Sequence, residues 1–394
     1  MMWREKVIDF FGLKKSIVAL LAMVILVGLG EKMAERFLPI YLLALGGGIL
    51  SIGFLNGMDN LLSALYSFPG GYLSDRIGYK RALVVFNLIA LFGYLIVIIF
   101  SHWLAVLIGA AFFLSWTAIS LPATMSLVSR ALPREKRTMG VSLHSLTRRI
   151  PMALGPVIGG ILIGTYGDKM GIRLAFVAAF LLGIVSLILQ QAMIEDDGRR
   201  GTAEKRPAHL WRHMSPDLRN LLASDILIRF AEQIPYAFVV VWCIKLNGIS
   251  AVRFGLLTTI EMATAMLVYI PVAWLADRST KKPFVLITFV NFTLFPLVLL
   301  FSHSFGMLIF AFIIRGLKEF GEPTRKALIM DLAPEEQKAG MFGLYYLIRD
   351  VIVSGAAFAG GFLWQLSPAV NLLAAATCGV LGTIYFAIRG RDLK

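Results

Sequence analysis

Charge is scarce in this sequence. Only 16% of its 394 residues are Asp, Glu, Lys or Arg while 58% are apolar, where soluble domains carry about 25% charged residues. A soluble fold of this size needs more charge than that to clothe its core. Cysteine is scarcer still. The two present, Cys243 and Cys378, both sit in apolar runs, which leaves no disulfide framework and no cysteine metal site. Also missing are a phosphate-binding Walker loop, a dinucleotide glycine pattern, a serine elbow and a His-Glu-x-x-His pair. These absences predict no enzyme, no cofactor and no metal, and leave ion or solute gradients to drive any transport.

What the chain has in abundance is long apolar runs. A hydrocarbon core of about 30 Å takes roughly 20 helical residues to cross. Twelve such segments lie near 16–43, 49–74, 80–101, 103–131, 138–165, 171–194, 217–246, 250–276, 283–302, 304–332, 338–365 and 367–389. The expected fold is an all-α membrane protein of twelve spans. Before Lys15, basic and acidic residues alternate with Trp3, Phe10 and Phe11, the pattern of a helix lying on the membrane surface. The first apolar run is interrupted by Gly28, Gly30, Glu31 and Lys32, so it reads as an uncleaved span and not a signal peptide. Of the 38 basic residues, 26 fall on the side that holds both termini and 4 on the other. The positive-inside rule makes that side cytoplasmic. This distribution absorbs most of the formal charge of +14 without a nucleic-acid partner.

The sequence repeats at an offset of 201. Leu73-Ser74-Asp75-Arg76 returns near that spacing as Leu275-Ala276-Asp277-Arg278, and Pro122, Pro133, Arg148, Gly159 and Gly160 return as Pro323, Pro334, Arg349, Gly360 and Gly361. Ala34-Glu35 and Ala231-Glu232 match less tightly, across an insertion of a few residues. The implied organisation is a six-helix half over 1–194, a central loop over 195–216 and a second six-helix half over 217–394. Parallel repeats with a site between them are a transporter arrangement.

Between spans two and three stands Gly71-Tyr72-Leu73-Ser74-Asp75-Arg76-Ile77-Gly78-Tyr79-Lys80-Arg81. It resembles the loop signature of the major facilitator superfamily, departing at Tyr79. The resemblance implies a conformational-gating role for Gly71, Asp75, Arg76, Gly78, Lys80 and Arg81, and for Asp277 and Arg278 of the second copy. Leu38-Pro39 followed by Gly46 to Gly48 looks like the opening of the 12-helix drug:proton antiporter branch. In span five, Gly155-Pro156-Val157-Ile158-Gly159-Gly160 is similar to the core of the superfamily's antiporter motif, which implies a helix bend and close helix packing; small-residue packing in general would give the same pattern.

Ionisable residues inside spans are the informative ones, since each costs about 2.5–3.5 kcal/mol at the bilayer centre unless paired or hydrated. The bases are Lys32, Arg36, Arg148, Arg149, Arg229, Arg315, Lys318 and Arg349. The acids are Glu31, Glu35, Asp59, Asp225, Glu232, Glu261, Glu319, Glu322 and Asp350. Asp225 to Arg229, Arg315 to Glu319 and Lys318 to Glu322 are i,i+4 pairs on a continuous helix. The superfamily resemblance implies that spans one, four, seven and ten line a hydrated cavity. Glu31, Glu35, Asp59, Glu232 and Glu261 are the proton-coupling candidates, with permanent salt bridging as the alternative. Arg148, Arg149, Arg229, Arg315, Lys318, Glu319, Glu322, Arg349 and Asp350, with Trp116, Tyr345 and Tyr346, are the substrate-binding candidates. Arg148 and Arg349 either grip an anion together or serve as structural partners for nearby acids. His144, one turn before Arg148, titrates in the neutral range when unperturbed.

The expected function is secondary transport in the cytoplasmic membrane by a monomer with the lipid bilayer, protons and a small molecule as its partners. Proton-coupled export of an amphiphilic or anionic organic solute is the first expectation. Proton-coupled uptake of an organic anion or zwitterion, lipid translocation, and a solute sensor that moves nothing are the others.

Overall fold

A computed structural model describes residues 15–114, 116, 120, 137–194, 211–212, 214–276, 279–333 and 338–391. The surface helix expected before Lys15, most of the central loop, and Asp277 and Arg278 lie outside them.

The described chain is helical throughout. Span one is α1 (Lys15–Glu35) continued by α2 (Leu38–Ala44), which begins with Pro39 in its first turn, where a missing N–H costs nothing. Spans two and three are α3 (Ile49–Ile77) and α4 (Tyr79–Ile99), and α5 (Trp103–Phe113) begins span four. Spans five and six form α6 (Arg137–Met193), broken at Gly167, whose φ of 78° suits glycine. Span seven is α7 (Pro216–Gln233), followed past Pro235 by a 3-10 turn (Tyr236–Phe238), one α turn (Val239–Val241) and a π turn (Trp242–Leu246). Then come α8 (Ala251–Ala276), α9 (Lys282–Leu300), α10 (Phe305–Leu317), α11 (Glu322–Leu332), α12 (Lys338–Leu366) and α13 (Pro368–Arg389). Ser215, Ser304 and Ser367 cap α7, α10 and α13, each accepting a hydrogen bond from the N–H three residues on.

Seven helices among the described residues are long and apolar enough to cross a membrane by length and composition. Their exposed faces carry large apolar side chains: Leu267 is 75% exposed, Leu366 75% and Ile388 73%. Contiguous apolar surface of this kind requires a nonpolar solvent.

Two compact units emerge. The first holds residues 1–46 and 62–204, the second 47–61 and 205–394. The division departs from the connectivity in one place, because the first turns of α3 pack with the second unit. Glycine and amide side chains explain this. A Cβ on Gly53 would stand 2.7 Å from the Gly361 Cα, and one on Gly57 would overlap the Phe358 ring. Asn56 donates to the Gln233 carbonyl at 2.8 Å, and Asn60 to its side-chain oxygen at 3.2 Å.

Inside the first unit, α1 lies along α6 through small residues. A Cβ on Gly28 would meet Pro151 at 2.9 Å, one on Gly30 would meet Ala179 at 2.8 Å, and one on Gly155 would meet Lys32 at 2.7 Å. Gly159 abuts the Met33 carbonyl, and inside the second unit Gly360 abuts the Ile234 carbonyl. Both pairs are separated by 201, so the repeat register runs without insertion through spans one and seven. The looser match of Glu35 to Glu232 is thereby corrected: Glu31 is the counterpart of Glu232, and Phe37 of Phe238, each phenylalanine fully buried.

Candidate functional site

Among the described residues, ionisable side chains inside the spans gather at two places, one in each unit. In the first, Lys32 sits between two carboxylates of its own helix, at 2.9 Å from Glu31 and in a shorter contact with Glu35. Spacings of one and three residues put all three on adjoining faces of α1. Glu31 is buried, and Arg148 on α6 interacts with it electrostatically. Arg36 interacts with Glu35 in the same way. The Tyr94 hydroxyl, buried on α4 and interacting electrostatically with Glu31 and Glu35, has no hydrogen-bond partner among the described residues.

The second cluster is larger and joins α7, α8, α10, α11 and α12. Glu232 accepts from Arg229 at 2.6 Å and from Lys318 at 2.7 Å. Lys318 also stands 3.7 Å from Glu261, which pairs with Arg315 at 3.3 Å. The Arg315 guanidinium lies among the rings of Tyr236, Phe295 and Phe312, with centroids 5.1 to 5.5 Å away. Arg229 reaches on to Glu322 at 3.3 Å, and Glu322 is shared with Arg325 and Lys326. Arg325 also binds Asp225, which accepts from Tyr345 at 3.0 Å and Arg349 at 3.4 Å. Arg349 bonds Asp350 at 2.7 Å and lies 4.2 Å from the Tyr346 ring centroid. Buried charges survive only when paired and hydrogen-bonded, and this network supplies a partner to each.

The structure changes several expectations. Arg325, read from sequence as a cytoplasmic-face residue, is 1% exposed and central to the network. Its i,i+3 spacing from Glu322 was the available signal; its place in a basic flank hid it. The i,i+4 pair Lys318–Glu322 does not form, because residues 318–321 are turns between α10 and α11 and Pro323 starts the new helix. Lys318 turns to Glu232 and Glu261 instead. Asp225 and Arg229 remain neighbours, at 3.9 Å. Arg349 is engaged by both Asp225 and Asp350. Asp59 is partly buried among the turns of α3 that pack with the second unit, while Arg149 and Glu319 are partly buried on α6 and in the turn after α10. The His144 side chain lies outside the description.

Trp116 is not an open lining residue: its indole donates to Asn87 at 2.8 Å, Asn87 donates to Gln190 at 2.7 Å, and Gln190 donates to the Lys80 carbonyl at 2.9 Å. Asn87 and Gln190 were missed in the sequence because single amides in apolar runs carry no spacing signal. In the loop signature, Gly78 has a φ of 88°, the left-handed turn that glycine permits, and Lys80 donates to the Gln191 carbonyl at 3.1 Å. Lys282, at the start of α9, donates likewise to the Ala387 carbonyl near the end of α13. Gly71 and Asp75 lie in α3, and their side chains are outside the description. Of the span-five motif, Gly155 and Gly159 seat against Lys32 and Met33, next to the Glu31–Lys32–Glu35 group; Pro156 lies inside α6, and the non-helical residue is Gly167.

The family model of the major facilitator superfamily matches residues 20–231 and 221–394. The chain belongs to the major facilitator superfamily. It is therefore a multi-pass membrane transporter and not an enzyme. An uncharacterized MFS-type transporter of Methanocaldococcus jannaschii is 23% identical over 360 residues, 88% of this chain and 87% of that protein. The quinolone resistance protein NorA of Staphylococcus aureus is 26% identical over 149 residues, 37% of this chain and 38% of its own. Among solved structures, the nucleoside transporter NupG superposes with a TM-score of 0.81 at 11% identity, covering 95% of this chain and all of that one, a likeness of fold. Superfamily membership places the two charge clusters in a secondary transporter for a small molecule.

Proposed function

We propose that this transporter couples protons to an organic solute carrying an anionic head, and that proton and anion bind together. The observation that carries the reading is Glu232 held by both Arg229 and Lys318 inside a buried network. Protonating Glu232 cancels its charge and leaves Arg229 with Glu322 and Lys318 with Glu261, one negative charge fewer for the same buried cations. An incoming carboxylate or phosphate restores the balance. Proton binding and anion binding thus favour each other by linkage, the requirement for co-transport. Glu31, held by Lys32 at the equivalent position of the first half, is proposed for the same proton-loading role. Cytoplasmic termini, a monomeric state and alternating access complete the proposal.

A second reading, proton-driven export of an amphiphilic solute, is favoured by the antiporter-like glycines seated beside Glu31 and by the quinolone-resistance relative. Proteoliposomes with an imposed pH gradient and a panel of radiolabelled organic anions separate the two. Co-transport is expected to raise uptake when the outside is acid. Export by exchange reverses that sign. Anion flux that ignores the gradient in the native protein overturns both.

A further inference from the structure

One oxygen of Asp225 is gripped by three donors from two other helices: the Arg325 guanidinium of α11, the Tyr345 hydroxyl of α12 at 3.0 Å and Arg349 Nη1 of α12 at 3.4 Å. Tyr345 and Arg349 are four residues apart, so one helix face presents both. The Tyr346 ring lies beneath the Arg349 guanidinium, 4.2 Å from its centroid. The second oxygen, Oδ1, is buried and accepts no hydrogen bond among the described residues; Arg229 Nε is 3.9 Å away. A fork built for a carboxylate is therefore filled by the protein's own carboxylate, with half of that group unserved. The titratable and charged groups around it are Arg229 on its own helix, Glu322 and Arg325 on α11, and Tyr345, Tyr346, Arg349 and Asp350 on α12. From α9 and α13 come apolar side chains such as Phe289 and Phe386.

We propose that Arg325, Arg349 and Tyr345 form the subsite for a carboxylate of the transported solute, and that Asp225 occupies it as a tethered stand-in until it takes up a proton. The inference rests on the proton-and-anion reading above and adds the group recognised. Like charges cannot share one fork, so a solute carboxylate enters only when Asp225 is neutral. A monocarboxylate replaces Asp225 one for one in charge and in donors used, whereas a phosphate dianion brings more charge and more acceptor sites than the fork serves.

The test is the melting temperature of the purified full-length protein titrated with butyrate, with chloride as the matched control, since a ligand of the folded state raises it. At neutral pH, Asp225→Asn is expected to bind butyrate at least about tenfold more tightly than the native protein, a difference of about 1.4 kcal/mol. The native protein should approach that affinity only in acid. Tyr345→Phe in the otherwise native protein should weaken the acid-pH binding by about threefold or more, a loss on the scale of one hydrogen bond. Equal butyrate affinity in the native protein and Asp225→Asn at neutral pH overturns the proposal. So does an unchanged affinity in Tyr345→Phe, which decides the matter alone if Asp225→Asn fails to fold. Gradient-independent flux with the butyrate pattern intact refutes the coupling reading and leaves the subsite standing; proton-driven flux without the pattern refutes the subsite alone.

Discussion

Gly360 lies against the backbone carbonyl of Ile234, and 201 residues earlier Gly159 lies in the same way against Met33. The contact fixes the height of Glu232 on span seven and of Glu31 on span one, each two residues before the touched carbonyl. A Cβ at either glycine would overlap that oxygen, so the helices would have to separate.

Gly159→Ala and Gly360→Ala are therefore each expected to destabilise the protein by about 1–3 kcal/mol, the usual cost of overpacking. Thermal unfolding in detergent reads this. Gly343→Ala, where a Cβ meets nothing within 4 Å, is the control and should stay near native.

Glu232→Gln keeps the shape of the side chain and removes the charge that holds Arg229 and Lys318. Proton stimulation of anion flux is expected to fall by tenfold or more, roughly the weight of one charge-assisted contact, while counterflow at equal pH persists. Glu31→Gln should fall in the same direction. Full stimulation in both single variants and in the double variant excludes these two carboxylates from coupling.

Arg325 is the buried bridge between Asp225 and Glu322. Arg325→Leu removes the guanidinium that two buried carboxylates share, leaving Asp225 to Tyr345 and Arg349 and Glu322 to Arg229 and Lys326, and should cost about 3–5 kcal/mol. The double variant Arg325→Leu with Asp225→Leu should recover part of that loss, measured as a coupling energy in a double-mutant cycle. Additive losses would mean that the two residues act independently.

Arg315→Lys keeps a cation for Glu261 but gives up the planar group that lies among three rings. A loss of about 0.5–2 kcal/mol is expected, with Arg315→Met losing more because Glu261 then loses the guanidinium that stands 3.3 Å from it. Native stability in Arg315→Lys would show that the rings contribute nothing beyond the ion pair.

The expectations that came through rest on patterns the chain carries locally. Apolar runs of membrane length and the turn at Gly78 in the loop signature are statements about neighbouring residues, and helix formation in lipid is forced by the need to satisfy every backbone group within the segment. The mismatch of Glu35 with Glu232 had the opposite cause. Identity of two residues alone could not tell a shifted match from an insertion, and only the carbonyl each glycine touches set the register.

The sequence by itself determined that this is an all-helical membrane protein with many charges inside its spans. It did so because hydropathy and charge bias depend on composition along the chain. Which charge meets which was decided by tertiary structure. Asp225 and Arg325 are 100 residues apart in sequence and share a hydrogen bond, and Lys318 abandons Glu322 for Glu232 because Pro323 breaks the helix between α10 and α11. Electrostatic pairing in a low-dielectric interior falls off with distance in space, and distances between helices are set by packing.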